Sequence, residues 1–325
     1  MEEHRHLTVH HLLRAVISAG FSFYIVHLVK IDKLQYYIAP RIMPYVKYSA
    51  VALFVLAAFY LYRALQGSSH EHHGPACDCE HESNHSLPNN ILLYSLFLFP
   101  LLLGFILPDK IMGSDAAAVK GMKLTVKNAV QQPSAALTQV EQAAVNLPPS
   151  VPKESEERLP ASESSSSSEL DALFPYDEFS KDFADLGKLL YGQDVITVKE
   201  TGFLEYVSTL DIYRDNFIGK TVVISGFVYR EDDMTSNEIV VSRMAMSCCM
   251  ADAEPYGLMA EWNHAADFNK DTWITVTGKL GIKKYRGSDI IVINADKVTK
   301  IKAPKDPYVN PYFGDITELE KEKKS

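Results

Sequence analysis

The stretch Ile91-Leu-Leu-Tyr-Ser-Leu-Phe-Leu-Phe-Pro-Leu-Leu-Leu-Gly-Phe-Ile-Leu107 carries no charged side chain and stops at Pro108-Asp109-Lys110. It approaches the roughly 20 apolar residues that a helix needs to cross a hydrocarbon core. Two similar runs lie upstream. Leu12–Val29 has Arg14 near one end, where it can snorkel to headgroups, and Ser49–Leu65 is interrupted late by Arg63. Three such runs in the first 108 residues are more than the core helices of a soluble domain supply. Tyr36, Tyr37, Tyr45, Tyr48, Tyr60, Tyr62 and Tyr94 gather near their ends, as interfacial aromatics do. Residues 1–110 are therefore predicted to form an α-helical membrane anchor of about three spans, in contact with membrane lipid, in a multi-pass cell-membrane protein. The N-terminus lacks a basic region and a small-residue cleavage site, so an uncleaved span is expected there.

Between the second and third runs lies His70-Glu-His-His-Gly-Pro-Ala-Cys-Asp-Cys-Glu-His-Glu-Ser-Asn-His85, with five of the chain's eleven histidines and two of its four cysteines. Imidazole and thiolate are the side chains that best bind borderline and soft transition metals. His70, His72, His73, Cys77, Cys79, His81 and His85 are the candidate ligands for zinc or another transition metal. The spacing is that of a ligand-rich loop and not of a defined four-ligand site. Three crossings place this loop on the same side as the N-terminus, near His4, His6, His10 and His11, which read as interfacial polar residues, with further metal ligands as the alternative. Two orientation cues oppose each other. Lys30, Lys33, Arg41 and Lys47, together with Lys110, Lys120, Lys123 and Lys127, point to the cytoplasm by the positive-inside rule. The Ser-rich segment further on has the composition of an extracytoplasmic spacer.

Residues 111–170 are predicted to be a Ser/Pro-rich flexible linker, the change being sharpest from Gln131, through Pro148-Pro149 to the serine run 164–168. Such a composition cannot bury enough apolar surface to offset the entropy of ordering it. Residues 171–325 read as a folded domain. Asp177–Tyr191 and Phe203–Asn216 have helical apolar spacing, and strand signals follow at Thr221–Tyr229, Glu238–Met246, Gly257–Trp262, Thr272–Lys279 and Asp289–Asn294. Five short strands with Gly226 and Gly278 inside or at their ends suggest a small, curved, mainly β, OB-like barrel behind two helices, with an antiparallel sandwich as the alternative.

In that domain Met244-Ala-Met-Ser-Cys-Cys-Met-Ala-Asp-Ala-Glu-Pro-Tyr-Gly257 places two adjacent cysteines and an aspartate where a strand meets a turn. Cys248, Cys249 and Asp252 are candidate metal ligands. Neighbouring side chains on a strand point to opposite faces, so both thiols can ligate only if the backbone bends. A buried core cysteine, a metal contact and thiol redox chemistry all stand as readings of this pair. The charge balance excludes one class of partner: the chain is −9 overall, and residues 171–325 hold 19 Lys and Arg against 26 Asp and Glu, so no nucleic acid is expected. No Ser/His/Asp set, paired carboxylates or phosphate loop is present, and no enzymatic activity is expected.

The chain resembles the YcgQ-like family of bacterial membrane proteins. The resemblance is carried by the His/Cys-rich loop, by Leu98-Phe-Pro-Leu101, and by Phe217-Ile-Gly-Lys-Thr-Val-Val-Ile-Ser-Gly-Phe-Val-Tyr229. Cys249-Met-Ala-Asp252 with Tyr256-Gly257, and Lys305-Asp-Pro-Tyr-Val309, complete it. It implies an accessory subunit of a two-component permease, partnered by a YcgR-like integral-membrane permease and associated with zinc handling. The rival expectations, from the residues alone, are a membrane-tethered thiol oxidoreductase using Cys248 and Cys249, and a non-catalytic interaction module.

Overall fold

The computed structural model describes residues 2–66, 87–125 and 165–321. The seven candidate ligands of the tract, His70, His72, His73, Cys77, Cys79, His81 and His85, lie outside the described residues, as does most of the predicted linker. The chain divides into two units, Met1–Ile111 with Met246–Asp252, and Met112–Ala245 with Ala253–Ser325.

The first unit is built on α1 (Glu2–Lys30), α2 (Met43–Gln66) and α3 (Leu87–Ile106). Two of them contain a segment long and apolar enough to cross a membrane, Thr8–Lys30 and Met43–Gln66. The third predicted run is also helical, and among the described residues its apolar part, Leu92–Ile106, is shorter than the other two. Small buried residues line the helix contacts: Ala15 and Ser22 on α1, Ala50 and Ala57 on α2. The Ser22 hydroxyl donates to the Ala50 carbonyl (2.8 Å), the close-packed, hydrogen-bonded contact that holds helices together where water supplies no hydrophobic drive. Large apolar side chains point the other way. Phe23, Phe54, Phe59, Leu92, Leu96 and Phe99 are all exposed. A surface of that kind is stable against lipid and not against water.

The second unit carries one mixed sheet of seven strands: β1 (Val195–Thr197), β2 (Thr221–Tyr229), β3 (Glu238–Ala245), β4 (Glu254–Glu261), β5 (Trp273–Tyr285), β6 (Ser288–Lys300) and β7 (Tyr308–Val309). Their order is β1-β2-β5-β6-β4-β3-β7, and β2 pairs in addition with β3. The β1–β2, β4–β6 and β3–β7 pairs are parallel and the others antiparallel, so a plain antiparallel sandwich does not form. All five predicted strands are present, and the two short outer ones are additional. Two glycines permit the curvature. A Cβ at Gly226 would overlap the Ser242 backbone, and one at Gly278 would overlap the Asn294 carbonyl beside the register shift between β5 and β6.

Further helices of this unit are α4 (Ser114–Lys120), α5 (Ser165–Leu173), α6 (Lys181–Tyr191), α7 (Phe203–Ile212), α8 (Arg214–Phe217) and α9 (Glu318–Lys321). The inward stripe of α6, Leu186 and Leu190, joins Phe203, Tyr206 and Leu210 of α7 and Ile224, Ile239 and Ile274 of the sheet in one core. The boundary predicted at residue 111 for a flexible linker is corrected at both ends. Ser114 donates its N–H to Asp271 (2.6 Å) and its hydroxyl to the Val228 carbonyl (3.0 Å), and Ala117 is fully buried. Lys123 then forms a parallel bridge with Tyr256 and an ion pair with Glu254. Residues 112–125 are thus part of the β domain, and α5 begins within the serine run at the other end.

Candidate functional site

Among the described residues, the chemistry singled out in the sequence is concentrated in the turn between β3 and β4. β3 ends at Ala245 because the chain then turns through a short 3-10 segment, Met250–Asp252, before β4 begins at Glu254. Asp252 organises the turn. Its carboxylate accepts the backbone N–H of Cys248 (2.8 Å) and those of Ser247 and Cys249 (each 3.3 Å). Burial opposes the charge on Asp252, yet the Cys248 thiol and these N–H groups together hold its pKa below the ordinary carboxylate value. The bend brings the two sulfurs to 3.6 Å, with Cys248 exposed and Cys249 half-buried. The requirement that the backbone bend for both thiols to share one side is met. The Asp252 carboxylate that accepts from the Cys248 thiol, with Cys249 beside it, pushes that thiol up to about 11. At neutral pH Cys248 is therefore a thiol and a weak nucleophile.

This turn belongs to the first unit. The Ala39 N–H donates to the Cys248 carbonyl (2.9 Å), the Met250 N–H donates to the Tyr37 carbonyl (2.9 Å), and Ile38 and Cys249 form an antiparallel bridge. The thiol pair is thus clamped by main chain to the connection between α1 and α2. Tyr37 links it to a second polar cluster. Its hydroxyl donates to Asp109 (2.5 Å), and Lys33 donates to the other carboxylate oxygen (2.8 Å). The Lys33 and Tyr37 hydrogen bonds lower the Asp109 pKa against the effect of burial, while burial followed by the Asp109 contact raises that of Tyr37. Sequence reasoning took Asp109 only as a helix boundary and missed this cluster. A carboxylate next to a span end, facing a lysine in the first connection, was the available signal.

As a metal centre the turn is incomplete. Tetrahedral zinc takes four protein ligands, or three and a water. Cys248 and Cys249 supply two sulfurs, and both Asp252 oxygens are already engaged by the turn's own N–H groups. Among the described residues no group of three or more His, Cys, Asp and Glu is disposed to hold a metal ion. The residues present do not by themselves fit zinc.

Apolar helices with lipid-compatible faces, a mixed-sheet domain and a thiol turn pinned to the first helical connection define a two-unit protein with a membrane-compatible helical part. Residues 13–123 match the DUF1980 N-terminal domain and residues 173–311 the DUF1980 C-terminal domain. The UPF0703 protein YcgQ of Bacillus subtilis (strain 168) is 26% identical over 311 residues, covering 92% of this chain and 99% of that relative. The chain belongs to the YcgQ-like family. No solved structure matches it.

Proposed function

We propose that this protein is a membrane-anchored accessory subunit of a two-component permease for a divalent transition metal, with zinc the first ion to test and a YcgR-like integral-membrane permease as partner. The observation that carries the reading is the ligand-rich tract His70–His85 set between two apolar helices. It would collect the ion at one membrane face. α3 is read as a third crossing of the cell membrane, since its twenty residues extend about 30 Å at 1.5 Å each. The β domain is read as an OB-like barrel. Support comes from the circuit of strand pairs β2–β3–β4–β6–β5–β2, in which β4 and β6 run parallel. Few charges lie within the apolar helices, and an ion path needs polar groups facing a bundle interior, so the transport route belongs to the partner.

The test is equilibrium zinc binding by the purified full chain in detergent, alongside a chain with the seven tract ligands changed to Ser. The variant should lose binding and still co-purify with the permease. Zinc binding unchanged in the variant would remove the metal part, and failure to co-purify would remove the permease part. A thiol oxidoreductase is the second reading, favoured by the 3.6 Å sulfur separation and opposed by the raised Cys248 pKa. Alkylation before and after mild oxidation separates it: a redox pair loses both reactive thiols reversibly.

A further inference from the structure

Among the charged side chains the β domain buries, Arg243, on β3, is the least exposed, at 1%, and it forms part of the wall of an open cavity of about 210 Å³. Its guanidinium stacks on Trp273 at 5.0 Å. One nitrogen, Nη1, donates to Glu200 (3.1 Å), Nη2 donates to the Asp306 backbone carbonyl (3.2 Å), and Nε has no hydrogen-bond partner among the described residues. The Asp306 carboxylate turns instead to the Tyr308 N–H (3.2 Å). The direct carboxylate contact to this buried cation is therefore Glu200, whose own side chain is 60% exposed. The Asp306 carboxylate acts on Arg243 only at longer range, so the guanidinium has one direct carboxylate, on a solvated side chain that returns little of its desolvation cost, and its Nε stays open to a further acceptor.

The rest of the lining has a consistent character. Lys199 and Lys302 add positive charge, so three cations face the cavity against the one carboxylate of Glu200. Lys199 is held by the Leu319 carbonyl and Glu320, whereas Lys302 is exposed and makes no ion pair among the described residues. Phe203, Ile301, Pro304 and Trp273 supply apolar walls. The volume is below the roughly 300–1,000 Å³ of sites for drug-sized ligands, which sets a small guest. The Glu200 carboxylate sits where a guest's carboxylate would sit, at the end of an exposed side chain that can swing into water.

We propose that this cavity binds a small organic carboxylate, which displaces Glu200 from Arg243, lays its body against Trp273 and gains a second charge contact from Lys302. The site is independent of the tract and of the thiol turn, so its failure leaves the metal reading untouched.

Trp273 reports directly on the cavity once Trp262, the other of the two tryptophans, is changed to Phe. Full-length W262F protein in detergent is titrated with benzoate, with neutral benzamide and with inorganic phosphate. Benzoate should quench Trp273 saturably and benzamide should not. E200Q removes the internal competitor, and with it benzoate should bind about tenfold more tightly, the equivalent of one charge-assisted hydrogen bond. K302Q should weaken binding severalfold, and R243K, which keeps the charge and loses the planar fork, should weaken it further. The E200Q result does not depend on whether changes at buried Arg243 fold. Equal quenching by benzamide, or an affinity unmoved by both E200Q and K302Q, overturns the proposal. Tighter binding of phosphate than of benzoate overturns the carboxylate assignment.

Discussion

Phe54 on α2 and Phe217 at the end of α8 are the same side chain under opposite rules. Phe54 is 64% exposed in the helical unit, and Phe217 is fully buried in the β domain. In the first unit small residues such as Ala15, Ala50 and Ala57 pack inward with Leu28, Leu34 and Leu101, and most of the large apolar side chains face out. In the second, Phe174, Phe203 and Phe217 face in, and most charges line the surface, with Glu205, Asp211, Glu238 and Arg243 buried. The contrast shows that the two units are solved for different solvents. Burial is measured against whatever surrounds the chain, and the outward face of the first unit has the composition that suits hydrocarbon.

The contrast can be broken most sharply at these phenylalanines. Phe217→Ala should cost about 3–5 kcal/mol, the range for emptying an aromatic site in a packed core. Phe54→Ala should stay within about 0.5 kcal/mol. Trp262 and Trp273 both lie in the β domain, so intrinsic fluorescence during urea unfolding reads that unit. Phe54→Ala is read in an SDS mixed-micelle titration of the helical unit, and a loss there as large as that of Phe217→Ala in the β domain would sink the two-solvent account.

A smaller effect is expected at the thiol turn. Asp252→Ala leaves three N–H groups without their acceptor and should loosen the turn by about 1–3 kcal/mol. The same change should speed iodoacetamide labelling of Cys248 at neutral pH, because the carboxylate that raises the thiol pKa is gone. The sign for the unmodified chain follows from linkage. A thiol whose folded pKa is raised stabilises the fold fully below its unfolded value and loses that contribution as the pH climbs towards about 11. Labelling should therefore stay slow at neutral pH and accelerate over that alkaline window. A rate already saturated near neutrality contradicts the assigned partner. The smallest effect belongs to Ser22→Ala. Loss of its bond to the Ala50 carbonyl should cost about 0.6 kcal/mol in an SDS mixed-micelle titration, the usual scale for a hydrogen bond between membrane helices.

How far these regions were legible differs in a way the same physics explains. β2 is found at its predicted bounds, Thr221–Tyr229, because one face is packed and apolar residues alternate along it. β5 and β6 run on past their predicted ends, to Tyr285 and Lys300, where solvated residues such as Lys284 and Lys297 break the apolar period while the backbone ladder continues. The two-residue link Arg286-Gly287, both at positive φ, closes this hairpin. Residues 112–125 were misread as tether because Ser114 and Ala117 look like spacer residues, and only their partners reveal the packing. The bend at Cys248 and Cys249 was legible from the turn residues around it. Its attachment to Tyr37 and Ala39 was not, since main-chain hydrogen bonds leave no side-chain signature. Arg243 carried a signal that went unread: a single cation inside the apolar run Ile239–Met246.

The clamp between Ala39 and Cys248 joins residues more than two hundred positions apart in the chain. At about 5–20 residues per second, a ribosome needs on the order of ten to forty seconds to travel from one to the other. α1 and α2 leave the ribosome long before the strand that delivers their closing piece. Throughout that interval the Tyr37 carbonyl and the Ala39 amide are open to any competing strand, and the helical unit can be finished only after translation has passed Met250.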